Sequence, residues 1–240
     1  MTASGPGTTL LVIAKEPVPG RVNTRLVPPC THEQAAALAA AALADTLHTA
    51  AMVPARRRVL VLDGAPGPWL PGGFDVVPQC GGPLDERLAA AFAAVSGPAL
   101  LVGMDTPQLT PELLTVDWGG ADAWFGPAAD GGFWALGLRV PDPALLRGVP
   151  MSTSSTGAVQ RARLIAAGLR VADLPPLRDV DTAADAVAVA RQAPRTRFAA
   201  LVRELGAVLS PGESTGKNSG DKPGGTRGSA LVDSVRGRTA

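Results

Sequence analysis

The chain has no tyrosine, and its aromatic residues amount to 4%. Base stacking, which holds single-stranded nucleic acid without sequence preference, has little to work with here. The only cysteines, Cys30 and Cys80, are far apart. That excludes a disulfide framework and a zinc ribbon, and it points to a reducing compartment. The two histidines, His32 and His48, lack a cysteine or acid at metal-ligand spacing and are assigned structural roles. The formal net charge is +1, so nothing draws the whole molecule to nucleic acid or to an anionic membrane, and any anion site must be local. The apolar runs around Leu10 and Leu100 are far too short to span a bilayer, and the opening "MTASGPGTT" lacks the basic start and long apolar stretch of a signal peptide. No Walker A loop or GxGxxG fingerprint is present. The expectation is a cytoplasmic protein that binds neither nucleic acid nor membrane.

Hydrophobic residues make up 46% of the 240, enough to bury one medium-sized core. "TLLVIA" (9–14), "RVLVLD" (58–63), "FDVVPQ" (74–79) and "PALLVGMD" (98–105) read as strands. "ADAWFGPAADGGFWALGL" (121–138) reads as two short strands around a Gly/Asp turn. Between and after them lie helical patterns: an Ala-rich run with Thr31 and Gln34 at capping-box spacing, and "PLDERLAAAFAAV" with Leu84, Leu88, Ala91, Phe92 and Val95 on one face. "TPELL" with Thr110 as N-cap, "TGAVQRARLIAAGL" ending at Gly168, a helix after "LRDVDT", and a last one over about 196–209 complete the series. Alternating strands and helices predict an α/β fold, a three-layer α/β/α arrangement around a mostly parallel mixed sheet. Residues 1–8 are expected to be a flexible N-terminus, 9–209 the folded domain and 210–240 a disordered tail, because the Gly/Ser-rich "SPGESTGKNSGDKPGG" composition cannot bury a core.

Ligands of such sheets sit outside the carboxyl ends of the strands, and the chemically loaded loops all follow strands. "AKEPVPGRVNTRL" (14–26) follows the first. Gly20 lets the backbone approach a ligand, and Lys15, Arg21 and Arg25 can give charge-assisted bonds to phosphate. "GMDTPQLTP" carries Asp105 at the end of a buried strand, where a carboxylate can hold Mg²⁺ or Mn²⁺ beside substrate phosphates. "GPAADGG" puts Asp130 on a turn with accessible backbone N–H groups. In "LRDVDTAAD", Asp179 and Asp181 stand at alternate positions and project to one side, which suits a cation; capping the next helix needs only one of the acids. Trp124 and Trp134 flank the "GPAADGG" turn and are assigned to core packing.

In this order the loops resemble the nucleotide-diphospho-sugar transferase (GT-A) superfold. More narrowly they resemble the bacterial DUF2064 family of GT-A glycosyltransferase-like proteins, which includes a branch linked to arsenosugar biosynthesis. The family pattern AKxPxPGxxKTRL is matched by "AKEPVPGRVNTRL", GxDxPxL by "GMDTPQL", GPxxDGGYxLxGL by "GPAADGGFWALGL" and DVDTxxDL by "DVDTAADAV", with Ser155-Thr156 before a helix. The match spans about residues 9–205. The resemblance implies that Lys15, Gly20 and Arg25 lie against a nucleotide diphosphate, with Arg21 and Asn23 in the same loop. It implies that Asp105 takes the place of the DxD-type metal acid, and that Asp181 takes that of a second metal ligand. Asp105 and Asp130 are then the catalytic acids, and Gly131, Gly132, Ser155 and Thr156 line the sugar or acceptor side. Three residues depart from the pattern: Asn23 stands where the family has Lys, Phe133 where it has Tyr, and Asp85 where it has Gly. Arg21 is placed to restore the charge missing at Asn23.

The resemblance implies a metal-dependent transferase with Mg²⁺ or Mn²⁺ as cofactor, acting on a nucleotide or nucleotide-sugar and a small-molecule acceptor. Glycosyl transfer from a nucleotide-diphosphate sugar is the first reading. Nucleotidyl transfer from an NTP to a sugar phosphate or phospho-acid is the second, and nucleotide binding without turnover the third. One fold serves these chemistries, so the site must decide.

Overall fold

The computed structural model describes residues 7–209 of the 240. Most of the expected flexible N-terminus and the expected tail lie outside the described residues.

Seven strands form one sheet: β1 (Thr9–Lys15), β2 (Arg57–Asp63), β3 (Asp75–Pro78), β4 (Ala99–Val102), β5 (Ala123–Pro127), β6 (Phe133–Leu138) and β7 (Val171–Asp173). Their spatial order is β3-β2-β1-β4-β6-β5-β7, and β6 alone runs against the rest. Side chains alternate across the central strands, as a pleat requires. Leu10, Val12, Ala14, Leu60 and Leu62 pack on Leu43 and Leu47 of α1 (His32–Met52). Leu11, Val59, Val61 and Leu101 pack on Leu88 and Phe92 of α2 (Leu84–Ala93). α3 (Thr156–Ala166) shares the second face through Leu164. α4 (Ala183–Gln192) and α5 (Arg197–Glu204) pack on α1 through Leu38, Ala42, Val189 and Phe198, and α6 (Gly206–Leu209) follows them. The architecture is therefore the expected α/β fold with a mostly parallel mixed sheet covered on both faces.

α1 is long and apolar enough to cross a bilayer by length and composition. Its apolar surface is instead used inside the fold, where eleven of its residues, from Ala35 to Ala50, are buried between the sheet and α5. Thr31 and Gln34 form the expected capping box at its start. Asp45, itself buried, accepts hydrogen bonds from the backbone N–H groups of Arg197 (3.1 Å) and Phe198 (2.8 Å), which fixes α5 across α1.

Two local expectations are corrected. The strand expected over 98–105 ends at Val102, and Asp105 lies three residues beyond it in a bend. Gly103 N–H still bonds the Trp134 carbonyl (3.2 Å), so the chain leaves the sheet gradually. "TPELL" forms successive turns closed by Leu113→Thr110 and Leu114→Pro111 bonds, not a helix. Five residues ahead of the Thr115–Gly120 stretch are too few to repay helix nucleation.

Asp85, where the family pattern has Gly, has a structural task. Its carboxylate accepts from Gly148 N–H at 2.7 Å, and neighbouring Glu86 pairs with Arg147 at 3.0 Å. Both bonds tie the start of α2 to the segment after the short 3-10 turn Pro143–Leu145. Asp85→Ala is expected to cost about 1 kcal/mol and lower the melting temperature by about 2–4 °C. Calorimetry checks this; an unchanged melting temperature would show that the bond contributes nothing.

Candidate functional site

A cleft of about 640 Å³ opens at the carboxyl edge of the sheet. That volume is within the range of small-molecule sites. The loop after β1 forms one wall. Glu16 N–H bonds the Asp63 carbonyl (2.8 Å), so this loop starts alongside the end of β2. Gly20 turns the chain at φ +78°, and Arg21 N–H closes the turn on the Val18 carbonyl (3.0 Å). Asn23 is left-handed (φ 48°), a conformation asparagine tolerates better than lysine. The exchange at this position therefore suits the backbone as well as changing charge. Leu26, fully buried, then pins the 3-10 turn Thr24–Leu26.

Lys15, Arg21, Asn23 and Arg25 all line the cleft. Arg21 lies 3.7 Å from Asp63, and Arg25 Nη1 is bonded to Asp181 Oδ2 at 2.5 Å. Among the described residues, Lys15 has no carboxylate within ion-pair distance.

The opposite wall is acidic. Asp130, Asp179 and Asp181 each offer a carboxylate oxygen, and these oxygens lie within 4.8 Å of one another. Backbone bonds bring them together from separate elements. Ala129 N–H bonds the Leu177 carbonyl (2.8 Å) and Leu177 N–H bonds that of Pro127 (3.1 Å), joining the β5–β6 turn to the chain after β7. Val180 N–H bonds the Asp105 carbonyl (3.0 Å), and Gln108 Nε2 bonds that of Arg178 (2.5 Å). Asp179 and Asp181 are thereby held beside Asp105. Thr182, capping α4 in a box with Asp185, relieves Asp181 of capping duty.

Burial pushes the Asp105 carboxyl up to about 6, with Asp181 and Asp130 adding repulsion against its own amide bond. Asp179 is likewise raised to about 6, first by burial, then by Asp130 and Asp105. Carboxylates held this close without a full complement of cations mark a site arranged for something other than stability.

Of the metal pair expected at Asp105 and Asp181, Asp181 belongs to a group of converging carboxylates. The oxygens that converge belong to Asp130, Asp179 and Asp181, while Asp105 lines the same cleft outside that group. The donor set is all carboxylate oxygen, which suits a hard cation such as Mg²⁺ or Mn²⁺ and offers nothing to a soft one.

Of the expected substrate-lining residues, Gly132 and Thr156 line the cleft, while Gly131 and Ser155 do not. Thr156 Oγ1 donates to the Pro150 carbonyl (2.8 Å) and accepts from Thr153 N–H (3.1 Å), so its hydroxyl is committed to shaping the loop. Gly20 also lies off the cleft surface. Phe133, in place of the family's Tyr, lines the cleft and packs tilted on Phe125, with ring centroids 5.7 Å apart. Trp134 is buried as expected, its indole N–H on the Pro175 carbonyl (3.0 Å).

Sequence reasoning missed Gln79 and Arg87. Gln79 Nε2 is anchored on the Ala14 carbonyl (2.7 Å), and its Oε1 accepts from Arg87 Nη1 (3.0 Å). Arg87 lines the cleft among Leu84, Leu88 and Phe133, and its buried Nε has no partner. The signal was available: Arg87 occupies the i+3 position in the apolar stripe of Leu84, Leu88 and Ala91, where a charge is out of place on a core-facing helix.

The model of a bacterial family described as "Uncharacterized protein conserved in bacteria (DUF2064)" matches residues 34–153, half of the chain. No curated protein matches. The crystal structure of a "putative nucleotide-diphospho-sugar transferase" from Desulfovibrio desulfuricans G20 is 27% identical, with a TM-score of 0.76 over 84% of this chain and 96% of that one. A CMP:2-keto-3-deoxy-manno-octonic acid synthetase complexed with CTP is 12% identical, with a TM-score of 0.50 over 83% of this chain and all of that one. The likeness to the second is one of fold.

Proposed function

The chain belongs to the DUF2064 family, and we propose that its cleft is the active site of a metal-dependent transferase that takes a nucleotide-diphosphate sugar as donor. One observation carries this reading: Lys15, Arg21 and Arg25 face Asp105, Asp130, Asp179 and Asp181 across a single cleft at the ligand edge of the sheet. Cations on one wall suit the phosphates, and the carboxylates opposite suit Mg²⁺ or Mn²⁺, held by Asp130, Asp179 and Asp181. Bound there, the metal would supply charge to the leaving diphosphate. The similarity to the Desulfovibrio protein supports the same donor class.

In the reaction proposed, the bond from the sugar's anomeric carbon to the diphosphate breaks and one from that carbon to the acceptor's oxygen forms. The hydroxyl proton passes to a cleft carboxylate outside the metal-holding group, for which Asp105 is available. Lys15, Arg21 and Arg25 hold the departing diphosphate. A diphosphate fits this loop better than a triphosphate. Arg21 and Arg25 already face Asp63 and Asp181, which leaves less net positive charge than three cations would suggest. Two free cysteines, one buried and one exposed, fit a cytoplasmic setting.

The test is product analysis. The protein is incubated with Mn²⁺, a panel of nucleotide-sugars and, separately, NTPs with sugar phosphates. The expected product is a nucleoside diphosphate from a nucleotide-sugar. Pyrophosphate from an NTP would instead establish nucleotidyl transfer. Tight binding in a thermal-shift panel with neither product would establish a binding protein.

A further inference from the structure

The Arg25–Asp181 bond joins the two walls of the cleft. Its partners come from residues 156 apart in sequence, one assigned to phosphate and one to metal. Among the described residues, Arg25 is the only cation bonded to any of Asp105, Asp130, Asp179 and Asp181. Its side chain is 65% exposed, whereas Asp181 is 34% exposed. The backbone beneath it is fixed independently, by buried Leu26 and by Leu26 N–H on the Asn23 carbonyl (2.9 Å). The guanidinium can therefore swing without disturbing the loop. It cannot lose its charge, so on leaving Asp181 it goes to water or to another anionic partner.

We propose that Arg25 is a resident counter-ion of the acid cluster, competing with the divalent cation for Asp181 until a ligand phosphate draws it away. This rests on the reading of the cleft given above and adds a coupling to it. Without ligand, Arg25 occupies one of the two Asp181 carboxylate oxygens and lowers the negative potential that would attract a metal. An anionic phosphate beside Lys15 and Arg21 offers the guanidinium a bidentate alternative, which planar arginine favours. Asp181 is then released to the cation. By linkage, whatever factor the phosphate ligand gains for the metal, the metal gains for the ligand. The cleft would thus take metal and nucleotide together, and a metal ion alone poorly.

Titration of Mn²⁺ alone, followed calorimetrically and by the electron paramagnetic resonance of free Mn²⁺, tests this without any turnover. Arg25→Gln is expected to bind Mn²⁺ about fivefold or more tightly than wild type, because the competitor is gone. Arg25→Lys, which keeps a cation on the loop, is expected to stay near the wild-type affinity. Equal or weaker Mn²⁺ binding by Arg25→Gln would overturn the proposal while leaving the metal site standing. If neither wild type nor Arg25→Gln binds Mn²⁺ at millimolar concentration, the metal assignment itself fails, and the counter-ion role falls with it.

Discussion

Asp105→Asn is expected to make the protein more stable and its metal binding worse. The Asp105 carboxyl is raised from 3.8 to about 6 by burial, and by Asp181 and Asp130 after its own amide bond has opposed the shift. A raised carboxylate works against folding wherever the unfolded chain is ionised more readily than the folded one. The cost is absent below about pH 4, grows as pH rises through the interval to 6, and is complete above it. A difference of that size corresponds to about 3 kcal/mol at neutral pH. Asparagine has a similar shape and no charge to bury. Recovery of about 2 kcal/mol would raise the melting temperature at pH 7.5 by about 4–8 °C. The gain should shrink steadily towards pH 4, where wild type carries no charge at this position either. In 5 mM Mn²⁺ the order should tighten or reverse, because a cation among the carboxylates stabilises wild type and the variant has one fewer negative charge to attract it. Melting curves at four pH values, with and without Mn²⁺, check both halves. A melting-temperature difference that does not change between pH 4 and 7.5 would show that Asp105 is not the group bearing the strain.

The parts of the site that could be read in the sequence are those set by local pattern. The strands announced themselves because "TLLVIA" and "RVLVLD" are apolar runs bounded by turn residues, and the pleat then sorted Leu10 and Leu11 to opposite layers. The Thr31 capping box was legible for the same local reason. Asp179 and Asp181 could be recognised as a pair because alternation in an extended segment puts them on one side. Their meeting with Asp130 could not be read that way. It depends on Leu177 bonding back to Pro127 and Ala129, and on Val180 reaching the Asp105 carbonyl. These contacts span tens of residues and leave no periodic trace. The Arg25–Asp181 bond is hidden likewise, since each residue alone fits its family role. Arg87 was the opposite case: a local irregularity in an apolar stripe, whose partner Gln79 lay on another element. The turns at Thr110 show the remaining limit, a good N-cap and Pro with too little chain behind them.

The two adjacent glycines of the "DGG" turn should respond very differently to alanine. Gly131 is left-handed at φ +91°, and a Cβ there would lie 2.1 Å from the Ser154 carbonyl oxygen. Neither side can yield easily. Gly157 N–H bonds the Gly131 carbonyl (2.8 Å), and Gly157 itself fits only because it lacks a Cβ, which would lie 2.4 Å from the Gly132 carbonyl oxygen. The turn and the start of α3 are thus interlocked backbone to backbone, and the Thr153–Thr156 hydrogen bonds stiffen the other side. Gly131→Ala combines a disfavoured φ with a clash against main chain. It is expected to cost about 3 kcal/mol or more, a fall in melting temperature of about 6–12 °C. It also displaces Asp130, the preceding residue, so Mn²⁺ affinity should fall in the fraction that remains folded. Gly132 has no left-handed φ, and its Cβ would meet only the Asp130 side chain, at 3.0 Å. A carboxylate can rotate away where a carbonyl cannot. Gly132→Ala should therefore stay within about 1 kcal/mol of wild type and disturb only the Gly132 N–H bond to Asp130 Oδ1 (2.7 Å). Calorimetry on both variants, with Mn²⁺ titration of each, makes the comparison. Equal destabilisation by the two alanines would mean that the turn is not locked against Ser154, and that Asp130 owes its position to something other than this close approach.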